Sequence, residues 1–85
     1  MKYEVKLKSS VKKQLRKIDN KQAERILVKI YLLADNPFPK GVNHLTNQKA
    51  YRIRVGDYRV IYEIHNKQLL VQVIRVGHRK DVYRA

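Results

Sequence analysis

The sequence predicts an α+β domain in which two helices cover one face of an antiparallel sheet, in the order β-α-α-β-β-β. Three observations carry this expectation. The N-terminal segment and the stretch after residue 50 alternate apolar and polar residues with period two, the segment between them repeats at helical spacing, and Asn36, Pro37 and Pro39 stand at the junction. At 85 residues the chain can build one core and not two, so residues 1–85 are expected to form a single domain.

Tyr3, Val5 and Leu7 alternate with Lys2, Glu4, Lys6 and Lys8, which describes a strand with one buried face. Ser9 or Ser10 can then cap a short helix whose apolar face is Val11, Leu15 and Ile18. Asp19, with Gln22 three residues on, matches a capping box that opens a second helix. Its stripe of Ala23, Ile26, Leu27, Ile30, Leu33 and Ala34 runs until the prolines forbid further helix. Phe38 to Lys49 reads as a loop. Tyr51–Val55, Tyr58–His65 and Leu69–Val76 read as three strands, joined by two-residue turns at Gly56-Asp57 and Asn66-Lys67.

Closing the first hairpin on Gly56-Asp57 sets its register: Val55 opposite Tyr58, Arg54 opposite Arg59, Ile53 opposite Val60 and Tyr51 opposite Tyr62. Parity then assigns Tyr51, Ile53, Val55, Val60, Tyr62 and Ile64, with Leu69, Val71 and Val73, to the face under the helices. The expected core is Leu15, Ile26, Leu27, Ile30, Val60, Tyr62, Val71 and Val73. Arg52, Arg54 and Arg59 fall together on the other face.

Lys and Arg number 20 against 7 Asp and Glu, a formal net charge of +13. Such an imbalance on a small body costs self-repulsion and attracts polyanions, so a nucleic acid, a ribosome or an acidic protein is the expected partner. No segment joins a long apolar face to a basic one, and the alternating N-terminus is neither a signal peptide nor a membrane span. A cytoplasmic protein without a membrane partner is expected. The chain has no Cys, and His44, His65 and His78 lack metal-ligand spacing. Isolated Gly41 and Gly56 make no phosphate-binding loop, so neither a metal nor a small-molecule cofactor is expected.

Arg54 directly across a hairpin from Arg59, with Arg52 on the same face, is repulsive unless an anion lies between them. Guanidinium groups match phosphate oxygens two at a time, so the cluster fits a phosphate clamp; by charge alone it fits a solvated face equally well. Gly77 lets the chain turn after the last strand, and the run from His78 through Arg79, Tyr83 and Arg84 can return beside the arginine face. His78 is a candidate base, and Tyr83 between basic residues a candidate stacking residue.

The stretch Tyr51-Arg-Ile-Arg-Val-Gly-Asp-Tyr-Arg-Val-Ile-Tyr-Glu-Ile, followed by Val73-Ile-Arg-Val-Gly-His-Arg-Lys-Asp-Val-Tyr, is similar to the signature of the RelE/ParE toxin superfamily. The resemblance spans essentially the whole chain. It implies the toxin of a type II toxin-antitoxin system, held inactive by a cognate antitoxin. RelE-like members cut messenger RNA in the ribosomal A site, whereas ParE-like members target DNA gyrase. The RelE-like pattern implies roles for Arg52 and Arg54 on the second strand, Arg59 after the hairpin, Arg79 after the last strand and Tyr83 near the end; Arg84, beside Tyr83, is a further RNA contact expected from its charge alone. It thereby favours a metal-independent endoribonuclease acting through the ribose 2′-hydroxyl. Well-known RelE members carry lysines where this chain has Arg52 and Arg54, and an arginine does not readily accept a proton. The base is therefore open among His78, Tyr83 and the RNA and ribosome themselves. The other readings are a gyrase poison and a basic RNA-binding module that never cuts.

Overall fold

A computed structural model describes residues 2–45 and 49–78. Strand β1 (Glu4–Leu7), helices α1 (Ser9–Arg16) and α2 (Asn20–Leu32), and strands β2 (Asn43–His44), β3 (Ala50–Val55), β4 (Tyr58–His65) and β5 (Leu70–His78) follow in chain order. The strands form one sheet in the order β1-β5-β4-β3-β2. This is the expected α+β arrangement with two additions. The segment read as a loop contains the short edge strand β2, and β1 runs parallel to β5, with Val5 beside Val71 and Leu7 beside Val73. Period-two alternation fixes which face a strand buries but not its direction. The helical hairpin, which carries the chain away from β1, allows either.

Both helices pack on one face. Val11, Ile26, Ile30, Val60, Tyr62, Val71 and Val73 are fully buried there, with Leu15, Leu33, Ile53, Val55 and Val76 beside them; Leu27 packs half-buried at the margin. The hairpin register is the expected one, Arg54 facing Arg59 and Tyr51 facing Tyr62.

Local chemistry departs from the sequence in three places. Helix α1 starts at Lys8 without a side-chain cap, one residue before the serines expected to provide it. Lys8 N–H is already given to the Val73 carbonyl as β1 leaves the sheet, and its own carbonyl receives the N–H groups of Val11 and Lys12. Asp19 does cap α2, accepting the Lys21 N–H at 2.8 Å, but Gln22 Oε1 is buried without a partner, so the reciprocal half of the capping box is not made. The second hairpin closes through a 3-10 turn at Asn66–Gln68 with Leu69 left-handed at φ 49°, so four residues, not two, separate His65 from its partner Leu70. Leu69 therefore belongs to the turn and not to the buried stripe.

β1 covers β5 only as far as Val73. Beyond it α1 takes the place of the missing strand, and the Val76 N–H donates to Gln14 Oε1 at 2.8 Å. At the other end Tyr62 donates its hydroxyl to the Pro37 carbonyl at 2.7 Å, pinning the chain where it leaves α2. Burial pushes the Tyr62 phenol well above its usual range, so it stays a donor at any physiological pH. Tyr62→Phe is expected to cost about 1–2 kcal/mol in urea unfolding, because the buried carbonyl loses its partner. No helix of the described residues is long and apolar enough to cross a membrane.

Candidate nucleic-acid interface

The sheet face turned away from the helices carries the candidate site, and pairing across β3, β4 and β5 sets its layout. One row reads Arg54, Arg59, Gly77; the next reads Arg52, Ile61, Arg75. Arg59 stands at the centre and is only 6% exposed, whereas Arg52 is half-buried and Arg54 is exposed at the sheet edge. The strands place Arg52, Arg54 and Arg59 together, as their parity requires. Gly77 directly across from Arg59 leaves that row without a third side chain, the kind of gap through which a ligand backbone can approach.

Further along the same face the charge changes sign. Glu63 pairs with Ala50 and Gln72, and its carboxylate lies 3.2 Å from His65 Nε2. The basic rows thus occupy the end of the face near the Gly56-Asp57 turn, where phosphates can approach without meeting that carboxylate. Among the described residues no group of His, Cys, Asp and Glu gathers into a set that could hold a metal ion.

His78 is not brought to this face. β5 continues as strand through Gly77 without the expected sharp turn, and His78 pairs with Tyr58 on the helix side, their rings edge to face at 5.7 Å. It lines a small hollow with Gln14, Lys17 and Ile18. The physical reason is alternation: Gly77 shares the row of Arg59, so the next residue must point the other way. Arg79, Tyr83 and Arg84, the remaining candidates, lie outside the described residues.

Arg75 and Ile61 were not among the sequence candidates. A β-bulge between Ile61 and Tyr62 shifts the pairing from Tyr62–Val73 to Ile61–Arg75 and brings Arg75 to the arginine face. Its trace in the sequence is a broken alternation, Val71 and Val73 followed by Val76 instead of a valine at 75.

A second feature lies between α2 and the β3 edge. Because β2 pairs only with Tyr51 and Arg52, the rest of β3 borders a groove of about 640 Å³ lined by Leu32, Leu33, Pro39 and Ile53 among others. A neighbouring hollow continues it past Val28 and Val55. Val28, Tyr31 and Leu32 are each more than half exposed on α2. Lys21, Arg25, Lys29, Lys40 and Arg54 outnumber Glu24 and Asp35 along the walls, and Asp35 is paired with Lys2.

Residues 5–83 match the family model of the ParE toxin of type II toxin-antitoxin systems, parDE. A putative RelE-like toxin protein of Escherichia coli is 29% identical over 87 residues, covering 98% of this chain and 92% of that protein. The archaeal RelE–RelB complex of Pyrococcus horikoshii contains a chain 30% identical with a TM-score of 0.83, covering 93% of this chain and 97% of that one. A doubly substituted E. coli RelE toxin in the free state is 25% identical with a TM-score of 0.81, covering 99% and 93% respectively.

Proposed function

This chain belongs to the ParE toxin family within the RelE/ParE superfamily and is a toxin of a type II toxin-antitoxin system; from that premise we propose that it is a ribosome-dependent endoribonuclease. The observation that carries the reading is the pair of basic rows, with Arg59 buried at their centre, across from Arg54 on one side and Gly77 on the other. Guanidinium groups gathered on one sheet face suit the phosphates of a polyanion.

In the reaction the ribose 2′-oxygen attacks the adjacent phosphorus, the bond to the 5′-oxygen of the next nucleotide breaks, and that oxygen takes up a proton. The products are a 2′,3′-cyclic phosphate and a 5′-hydroxyl. Arg59 and Arg79 stabilise the extra negative charge on the phosphorane, which is larger in the transition state than in the bound RNA. Arg52, Arg54 and Arg84 hold the flanking backbone, and Tyr83 stacks on or orients a base. His78, on the helix side of the sheet, is left out of this set. The 2′-hydroxyl proton goes to Tyr83 or to a group of the ribosome or the RNA. Tyr83→Phe separates these roles, since stacking survives loss of the hydroxyl and proton transfer does not.

The partner is a cognate antitoxin, as in the RelE–RelB complexes that resemble this chain. The groove between α2 and the β3 edge suits an acidic amphipathic segment of that partner: apolar side chains fill it and carboxylates meet its basic walls.

End-group analysis of messenger cleaved on ribosomes programmed in vitro tests the chemistry. Cyclic phosphate and 5′-hydroxyl ends are expected, and 5′-phosphate ends would exclude attack by the 2′-oxygen. The match to the ParE family favours a second reading, in which the same fold poisons DNA gyrase by protein contact. Expression in cells distinguishes the two. A nuclease halts translation with messenger cleavage at once, whereas a gyrase poison breaks DNA first and leaves messenger intact.

A further inference from the structure

We propose that Arg75 is part of the RNA site, forming with Arg52, across Ile61, a second phosphate position beside the one at Arg59. The proposal rests on the reading of this face as an RNA interface, and the register of β4 and β5 carries it further. Tyr62 pairs with Val73 and Ile61 with Arg75, so Ile74 is the extra residue of a bulge. In a regular register without the bulge, Ile61 would meet Ile74, and Arg75 would stand opposite Val60, which is fully buried beneath the helices. The bulge turns the arginine out and seats Val76 in its place, 2% exposed, paired with Val60 and anchored by its N–H to Gln14 Oε1 at 2.8 Å. Bulges commonly re-aim a side chain in this way beside functional sites.

The resulting geometry suits a chain of phosphates. Arg75 and Arg52 flank Ile61 on opposite sides, roughly 10 Å apart by two inter-strand spacings. Arg75 is also the diagonal neighbour of Arg59, about 7–8 Å away. Four arginines thus surround one apolar residue on adjoining rows, and Ile61 forms a floor on which the ribose between two phosphates can rest. Glu63, further along β4 on this face, lies against His65. The ligand is the backbone phosphate next to the scissile one, recognised whatever the base.

A fluorescent single-stranded oligoribonucleotide carrying 2′-O-methyl groups, which cannot be cut, is the probe. Its anisotropy is followed against purified full-length toxin between 50 and 200 mM salt. Arg75→Ala is expected to weaken binding on the order of tenfold and to flatten the dependence of log affinity on log salt by about 0.7, the loss of one phosphate contact on a single strand. Lys12→Ala, which removes the same charge from the exposed face of α1, should change affinity by less than about twofold and leave the slope as it is. Arg75→Lys should restore the salt slope but not the full affinity, because an ammonium cannot make the paired contact. If Arg75→Ala matches Lys12→Ala while Arg52→Ala loses slope, Arg75 is outside the site and the inference fails alone. If Arg52→Ala and Arg59→Gln also bind normally, the RNA reading of the whole face fails with it. A thermal scan of each variant guards against misfolding; should Arg75→Ala prove unstable, Arg75→Gln, which keeps most of the stem, is judged by the same two outcomes.

Discussion

Single-turnover cleavage of messenger RNA on programmed ribosomes is expected to slow by about a hundredfold or more when Arg59 is replaced by glutamine, and by a similar factor for Arg79→Ala. The size of the effect follows from where Arg59 sits. It is enclosed at the centre of the basic rows, only 6% exposed, and a fixed charge shielded from water stabilises a developing anion more than the same charge in solvent. Glutamine is the informative replacement because it fills part of the space and keeps a donor while removing the charge; alanine would also leave the space of a buried stem empty. Ribosome binding should fall much less, since 20 Lys and Arg residues share the attraction for RNA backbone. Comparing cleavage at saturating ribosome with the concentration needed to saturate separates the two effects. Cleavage at the normal rate by either variant would remove that arginine from the transition state. Full loss of binding would instead make it a docking residue.

The part of this site set by one hairpin was legible in the sequence. Gly56-Asp57 permits a tight turn, the turn fixes the register, and the register places Arg52, Arg54 and Arg59 on one face without any tertiary information. The part on β5 was not. Counting by twos from Val73 puts Arg75 in the core and Val76 outside, and the structure reverses both because one extra residue at Ile74 costs less than burying a guanidinium against Val60. That choice depends on what lies across the sheet and on Gln14 of α1, which lies 62 residues away in sequence. His78 was misplaced for a related reason. Gly77 read as a turn because glycine permits one, yet here it continues the strand and serves by having no side chain opposite Arg59. The parallel pairing of β1 was invisible for the simpler reason that alternation carries no direction.

A Leu32→Glu toxin is expected to fold normally and still arrest growth, but to escape its antitoxin, with affinity reduced by roughly thirtyfold or more. Leu32 is 53% exposed at the end of α2, so the change buries no charge in the free protein and the thermal transition should hold. In the complex the same side chain would face an apolar segment filling the groove beside Leu33, Pro39 and Ile53, and its carboxylate would meet the acidic groups that the basic walls otherwise attract. Desolvation and repulsion then act together. Lys29→Glu, on the same wall, should weaken the complex less and mainly by slowing association, because a rim charge steers encounter more than it holds the docked state. Arg54 ties this surface to the arginine face: it lines the groove and also stands opposite Arg59, so a segment seated against β3 would engage an arginine of the proposed RNA site. Neutralisation would follow without the antitoxin reaching Arg59 itself. Growth on co-expression is the measurement. Rescue of the Leu32→Glu toxin at ordinary antitoxin levels would show that the partner docks elsewhere, and loss of arrest in the absence of antitoxin would show that α2 serves the toxic activity directly.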